Sequence, residues 1–204
     1  MADLAAADLE TSRDAAIAFL NRQLRRDWSL PIPDLDWDCE RTLQHLINTE
    51  IFLALHLATG IAALPFPRGP AAAAGLRPDQ MLEELNATSA VVAMVIRATP
   101  PGTRVFYGDN RTDPTGVLAV ACDELLVHTW DIGRAFGESF EAPAGLVDAV
   151  MARLFPWAPT DADRWSAFLW CNGRVALPHR PRLGPDWRRW IAPLAEWDGS
   201  DPSR

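Results

Sequence analysis

Cysteine is scarce in this sequence. There are three, Cys39, Cys122 and Cys171, odd in number, widely spaced and without a CxxC pair. That argues against a disulfide framework and reads as reduced thiols in a cytoplasmic protein. No apolar run is long enough to span a bilayer. The N-terminus MADLAAADLETSRD carries acidic residues where a secretory signal carries basic ones, which argues against export. Positive charge is also in deficit: a net charge of −8 argues against nucleic acid or an anionic membrane as main partner. A phosphate-binding glycine loop, GxGxxG and GxSxG are all missing, which removes the commonest nucleotide and serine-hydrolase signatures.

What is present is apolar residues, 49% of 204, enough to bury a sizeable core. The whole chain, 1–204, is expected to form one helical domain with its bundle core over about 3–140 and an extension over 141–204. Residues 3–26 are rich in Ala, Leu and Arg and predict a first helix. Pro31 and Pro33 break the pattern. A second helix is expected from Trp37 or Asp38 to Ala58, stopped by Gly60. After an Ala-, Pro- and Gly-rich loop at 60–77, a third runs from Pro78 to Ala98. The punctuated stretch that follows holds a short extended piece at RVFY. A fourth helix is expected over 115–136 with Gly137 as its end, then shorter ones over 144–154 and 161–171. The remainder, rich in Pro and Trp, reads as an irregular tail packed by its aromatics. The fold class is therefore all-α, a four-helix bundle with extra short helices.

Glu124 and His128 lie four residues apart on the fourth helix, so both can approach one ion from the same face. A third ligand must come from elsewhere, and His45 is the natural candidate; three protein ligands leave a position open, as in a catalytic site. Periodicity alone supports a second reading equally well. Asp123, Glu124, His128, Asp131 and Arg134 share a sector roughly 140° wide, which is also what a solvated polar face looks like. Val117, Val120, Ala121 and Ala135 in the same sector favour burial, and a buried carboxylate beside an imidazole needs a partner such as a cation. His45 by itself reads more readily as a hydrogen-bonded core histidine. His56 lies about 16 Å along the second helix from it, too far to share an ion. His179 reads as a surface residue, and the three cysteines as packed core thiols.

Trp37, the run TLQHL around His45 and the ExxxHxWDxxRAxG element from Glu124 to Gly137 resemble the DinB-like superfamily. Within it they are most similar to the N-terminal domain of mycothiol-dependent maleylpyruvate isomerase, over roughly residues 10–140. The stretch FLWCNGRVALP is also similar to the ends of shorter members. The resemblance implies a DinB-like bundle with metal ligands His45, Glu124 and His128. It implies a divalent ion, zinc first and nickel second, with a low-molecular-weight thiol such as mycothiol as cosubstrate. The thiolate attacks a small electrophile, so the activity is S-transfer or isomerisation. Asp131 is a candidate to orient the metal-bound group; the competing reading is a surface carboxylate paired with Arg134 or Arg97. Arg41, Arg97 and Arg104 are candidates to meet carboxylates of the thiol or substrate, though singly each is an ordinary surface charge.

The isomerase carries a further C-terminal domain where this sequence has the stretch 141–204, which shifts the expectation from isomerisation towards a thiol S-transferase. Two rival readings stand beside it: a non-catalytic metal-binding sensor or interaction module, and a metal-free helical protein. The expected partners are a small thiol and an electrophile, without nucleic acid or membrane. The protein is expected as a monomer or homodimer, with Phe66 or Phe106 as possible contact residues.

Overall fold

The computed structural model describes residues 4–60, 75–107 and 110–201. Six α-helices, one two-stranded hairpin and a short 3-10 helix at Leu194–Glu196 make up the regular structure of these residues. The first helix, α1 (Ala6–Asn21), is followed by turns. It stops short of the expected residue 26 because Trp28 folds inward. The indole donates to the Gln23 carbonyl at 3.2 Å and meets Phe136 edge-to-face. Burying that large ring outweighs the helix propensity of Arg22, Arg25 and Arg26.

Helix α2 (Cys39–Thr59) starts where Asp38 accepts the Arg41 amide at 2.7 Å, an N-cap that satisfies one of the free first-turn donors. Helix α3 (Pro78–Ala98) has proline in its first turn, where no amide is needed. The extended piece is strand β1 (Val105–Tyr107), paired antiparallel with β2 (Asn110–Thr112). Helix α4 (Pro114–Phe136) is capped by Asp113, which accepts from Gly116 at 2.8 Å, and ends at Gly137. Helices α5 (Ala144–Leu154) and α6 (Arg164–Cys171) follow. The loop expected at 60–77 falls mostly outside the described residues, as does Phe66.

Helices α1 to α4 form the bundle: α3 packs on α1 and α2, and α4 on α1 and α2. The other side of α4 is covered by α5, which α6 covers in turn. Consequently α4 is the central element, and every residue from Gly116 to Gly133 is buried except half-buried Trp130. The polar sector of α4 is thus an interior face, and the solvated alternative is excluded. All three cysteines are buried and unpaired, and burial raises the thiol of each, Cys39 to about 12. Among the described residues no helix is long and apolar enough to cross a membrane.

The tail is irregular but firmly seated. Gly173 turns the chain at the end of α6 with φ near +65°, and the Trp187 ring lies where a Cβ would sit. Further on, the Trp190 amide donates to the Leu154 carbonyl at 2.8 Å. The Ile191 carbonyl accepts from Thr112 Oγ1 at 2.5 Å and Arg153 Nη2 at 3.2 Å. Gly116 makes this seat possible, because a Cβ there would stand 2.7 Å from the Ile191 oxygen and collide with Thr112 and Arg153.

Candidate metal centre

Helices α2 and α4 bring His45, Glu124 and His128 together, one ligand atom from each lying within 4.8 Å of the others. Glu124 Oε2 is the meeting point: His45 Nε2 lies 3.0 Å from it and His128 Nε2 3.2 Å. The two imidazoles meet edge-to-face at 5.0 Å between centroids. Glu124 and His128 are buried, while the His45 side chain is 33% exposed, so the cluster is reached from the α2 side. Trp37, just ahead of α2, packs its ring 4.9 Å from His45. The Arg41 guanidinium lies over that indole at 5.1 Å.

Asp131 sits three residues beyond His128 and accepts a hydrogen bond from its Nδ1 at 2.9 Å. Asp131 is fully buried, and Arg174 grips both its oxygens at 2.9–3.1 Å. Burial alone would raise this carboxyl; His128 and Arg174 hold it below its usual range. An ionised carboxylate only accepts, so Nδ1 carries a hydrogen and Nε2 is left as the titrating atom facing Glu124. When Nε2 is neutral, it and Oε2 are two acceptors 3.2 Å apart. Such a contact requires a proton or a cation.

In the metal-free protein that demand is met by a proton. Burial lowers the His128 imidazole, yet its bonds to Asp131 and Glu124 raise it to about 9. Burial likewise opposes ionisation of Glu124, and Arg189 with the two histidines holds it well below the ordinary carboxylate range. The donor set therefore suits a divalent cation: two imidazole nitrogens, an ionised carboxylate oxygen, and a carboxylate behind one histidine fixing its tautomer.

Behind the cluster lies a layer supplied by the tail. Arg189 Nη1 donates to Glu124 Oε1 at 2.6 Å, and its Nε pairs with Asp123 Oδ2 at 2.8 Å. Asn172 Nδ2 donates to the other Asp123 oxygen at 2.9 Å. Together with Arg174 these residues carry no spacing signature, lying 43 to 66 positions from their α4 partners. The available signal was the surplus of carboxylates on a central helix whose own cation, Arg134, cannot serve them all. Arg134 in fact turns away to Asp34 at 3.0 Å and lies over Trp130.

Of the three arginines singled out from sequence, only Arg41 stands beside the cluster, through Trp37. Arg97 pairs with Glu10 at 2.8 Å, so neither it nor Arg134 is the partner of Asp131. Arg104 faces Glu196 at 3.9 Å. His56 bonds the Phe106 carbonyl through Nδ1 at 3.1 Å, away from His45, and His179 is exposed.

Residues 9–133 match the family model of the mycothiol maleylpyruvate isomerase N-terminal domain, more than half of the chain. The chain belongs to this family. The matched span contains Trp37, His45, Glu124, His128 and Asp131, and ends before Asn172, Arg174 and Arg189. No curated protein and no solved structure matches the chain.

Proposed function

We propose that this family member is a divalent-metal-dependent, mycothiol-type thiol S-transferase or isomerase acting on a small electrophile. The observation that carries the reading is the contact of two imidazole nitrogens with one ionised carboxylate oxygen, locked from behind by Asp131, in a chain of this family. His45, Glu124 and His128 would hold the ion. Nitrogen and oxygen donors in this mix suit zinc first and nickel second. A divalent ion held there supplies the Lewis acidity that keeps a thiol ionised at neutral pH.

The chain's own residues do the rest. Asp131, fixed by Arg174, keeps the His128 hydrogen on Nδ1 and so presents Nε2 for ligation. Loading the site displaces the proton that Nε2 otherwise holds. The half-exposed edge of His45 gives a thiol access, and the Trp37 indole forms an apolar wall beside it. Arg41, stacked on that indole, offers a guanidinium at the mouth for a carboxylate of thiol or substrate. In S-transfer the thiol sulfur forms a bond to the electrophilic carbon while the leaving group departs and the thiol proton passes to solvent. In isomerisation the sulfur adds to an activated double bond, rotation follows, and elimination returns the thiol. Three free buried thiols and the acidic balance support a cytoplasmic enzyme with small-molecule partners.

The test is thiol consumption by zinc-loaded protein, with mycothiol beside glutathione and a panel of haloarenes, epoxides and cis-enedicarbonyl acids. The reading expects consumption that needs the metal and disappears in His128→Ala. Consumption unaffected by metal removal would contradict it.

A further inference from the structure

The tail holds the residue of most consequence that the family match does not reach. Arg189 is a partly buried cation, its side chain 14% exposed, whose Nη1 occupies Glu124 Oε1 and leaves Oε2 to face the two histidines. Its position is enforced from outside the centre. Arg153 holds the Trp190 and Ile191 carbonyls at 3.2 Å each, Thr112 holds the second of these as well, and Gly116 provides the room. These contacts fix the backbone beside Arg189, and the guanidinium itself is held by Glu124, by Asp123 and against the Trp187 ring.

We infer that Arg189 is a positioning residue that makes the centre select an anionic ligand. It limits Glu124 to one free oxygen and adds a fixed positive charge behind it, so that a thiolate is favoured over a neutral donor at the open position. The inference rests on the metal-site reading above and extends it to the class of ligand the site takes. The physics is plain Coulombic attraction. A unit charge held one contact behind a ligand, at the effective dielectric of a partly buried site, changes thiolate affinity by about tenfold or more. It leaves a neutral ligand almost untouched.

Cobalt-loaded protein provides the test, with 2-mercaptoethanol as the anionic probe and imidazole as the neutral one. Both are titrated at one pH by visible absorption, and the thiolate also by its sulfur-to-cobalt charge-transfer band. Arg189→Gln keeps amide donors towards Glu124 but removes the charge, and Arg189→Lys keeps the charge. The expected result is full cobalt loading in both. Arg189→Gln then loses about tenfold in thiol affinity with imidazole affinity unchanged within about twofold, while Arg189→Lys keeps the wild-type preference. Asp123→Asn, which leaves Arg189 in place, must keep or raise the preference for thiol even if Arg189→Gln does not fold. Equal weakening of both ligands, an unchanged preference in Arg189→Gln, cobalt loss confined to Arg189→Gln, or a reduced preference in Asp123→Asn would overturn the inference. Failure of wild-type protein to take up cobalt at all would overturn the metal-site reading itself, and is read from metal content before any ligand is added.

Discussion

At His128 the two ring nitrogens have separate tasks, and each has a measurable consequence. Nδ1 is committed to Asp131, so Asp131→Asn should retain the ion but bind it roughly 10–100-fold more weakly, by competition with a chelating dye. Removing the side chain outright with Asp131→Ala is a poorer experiment, since it leaves the partly buried Arg174 without the acceptor oxygen that Asn retains. Nε2 holds a proton up to about pH 9 in the metal-free protein. An incoming ion must displace it, so zinc affinity should rise about tenfold per pH unit from pH 7 to 9, with one proton released per ion in unbuffered titration. A pH-independent affinity over that range would show that His128 holds no proton there for the ion to displace.

Glu50 makes a different prediction. It is buried on α2, and burial together with the Glu124 charge outweighs Ser89 and raises it to about 8. Between its usual 4.5 and 8 the folded protein keeps a proton that the unfolded chain releases. Stability therefore falls as pH rises through that window. Glu50→Gln should remove this slope, so that its stability gain over wild type grows from pH 5 to pH 8 in urea unfolding. At this scale Glu124 and His128 were legible because i, i+4 spacing is a strong constraint. Arg174 and Arg189 were not, because nothing local in CNGRV or DWRRW says which carboxylate each will meet.

Among the elements, α2, α3 and α4 were legible nearly to the residue because their ends carry chemistry: Asp38 and Pro78 at starts, Gly60 and Gly137 at stops. Helix α1 was overdrawn because its end is decided by burial of Trp28, a tertiary event that propensity does not register. Whether the polar sector of α4 faced water depended on α2 and on the tail, whose Asn172, Arg174 and Arg189 meet it and whose position no periodicity reveals. The tail shows the same dependence at Gly116, which reads as an unremarkable first-turn glycine until the Ile191 carbonyl is seen against it. Gly116→Ala should cost about 1–3 kcal/mol in chemical unfolding and shift tryptophan emission, as the tail must move off α4. An unperturbed variant would mean that the tail is not held as described.

For the molecule as a whole, the bundle supplies His45, Glu124 and His128, and the segment after it supplies the arginines that pair with the α4 carboxylates. Every basic residue in the chain is arginine, and two of them, Arg174 and Arg189, are spent inside on α4 carboxylates. Their forked geometry suits such pairing better than lysine would. An ion that binds only the folded state adds stability by mass action, about 4 kcal/mol at a thousandfold excess over the dissociation constant. Zinc should therefore raise the melting temperature of metal-free protein by several degrees or more, and should not do so for His45→Ala. The central claim is that α2 and α4 together form a divalent-metal centre, and elemental analysis tests it most directly. Purified wild type should be compared with His45→Ala and His128→Ala, each stripped and reloaded. The account predicts near-stoichiometric zinc or nickel in wild type and loss from both variants. A wild-type protein that takes up no metal, or variants that retain it in full, would contradict it.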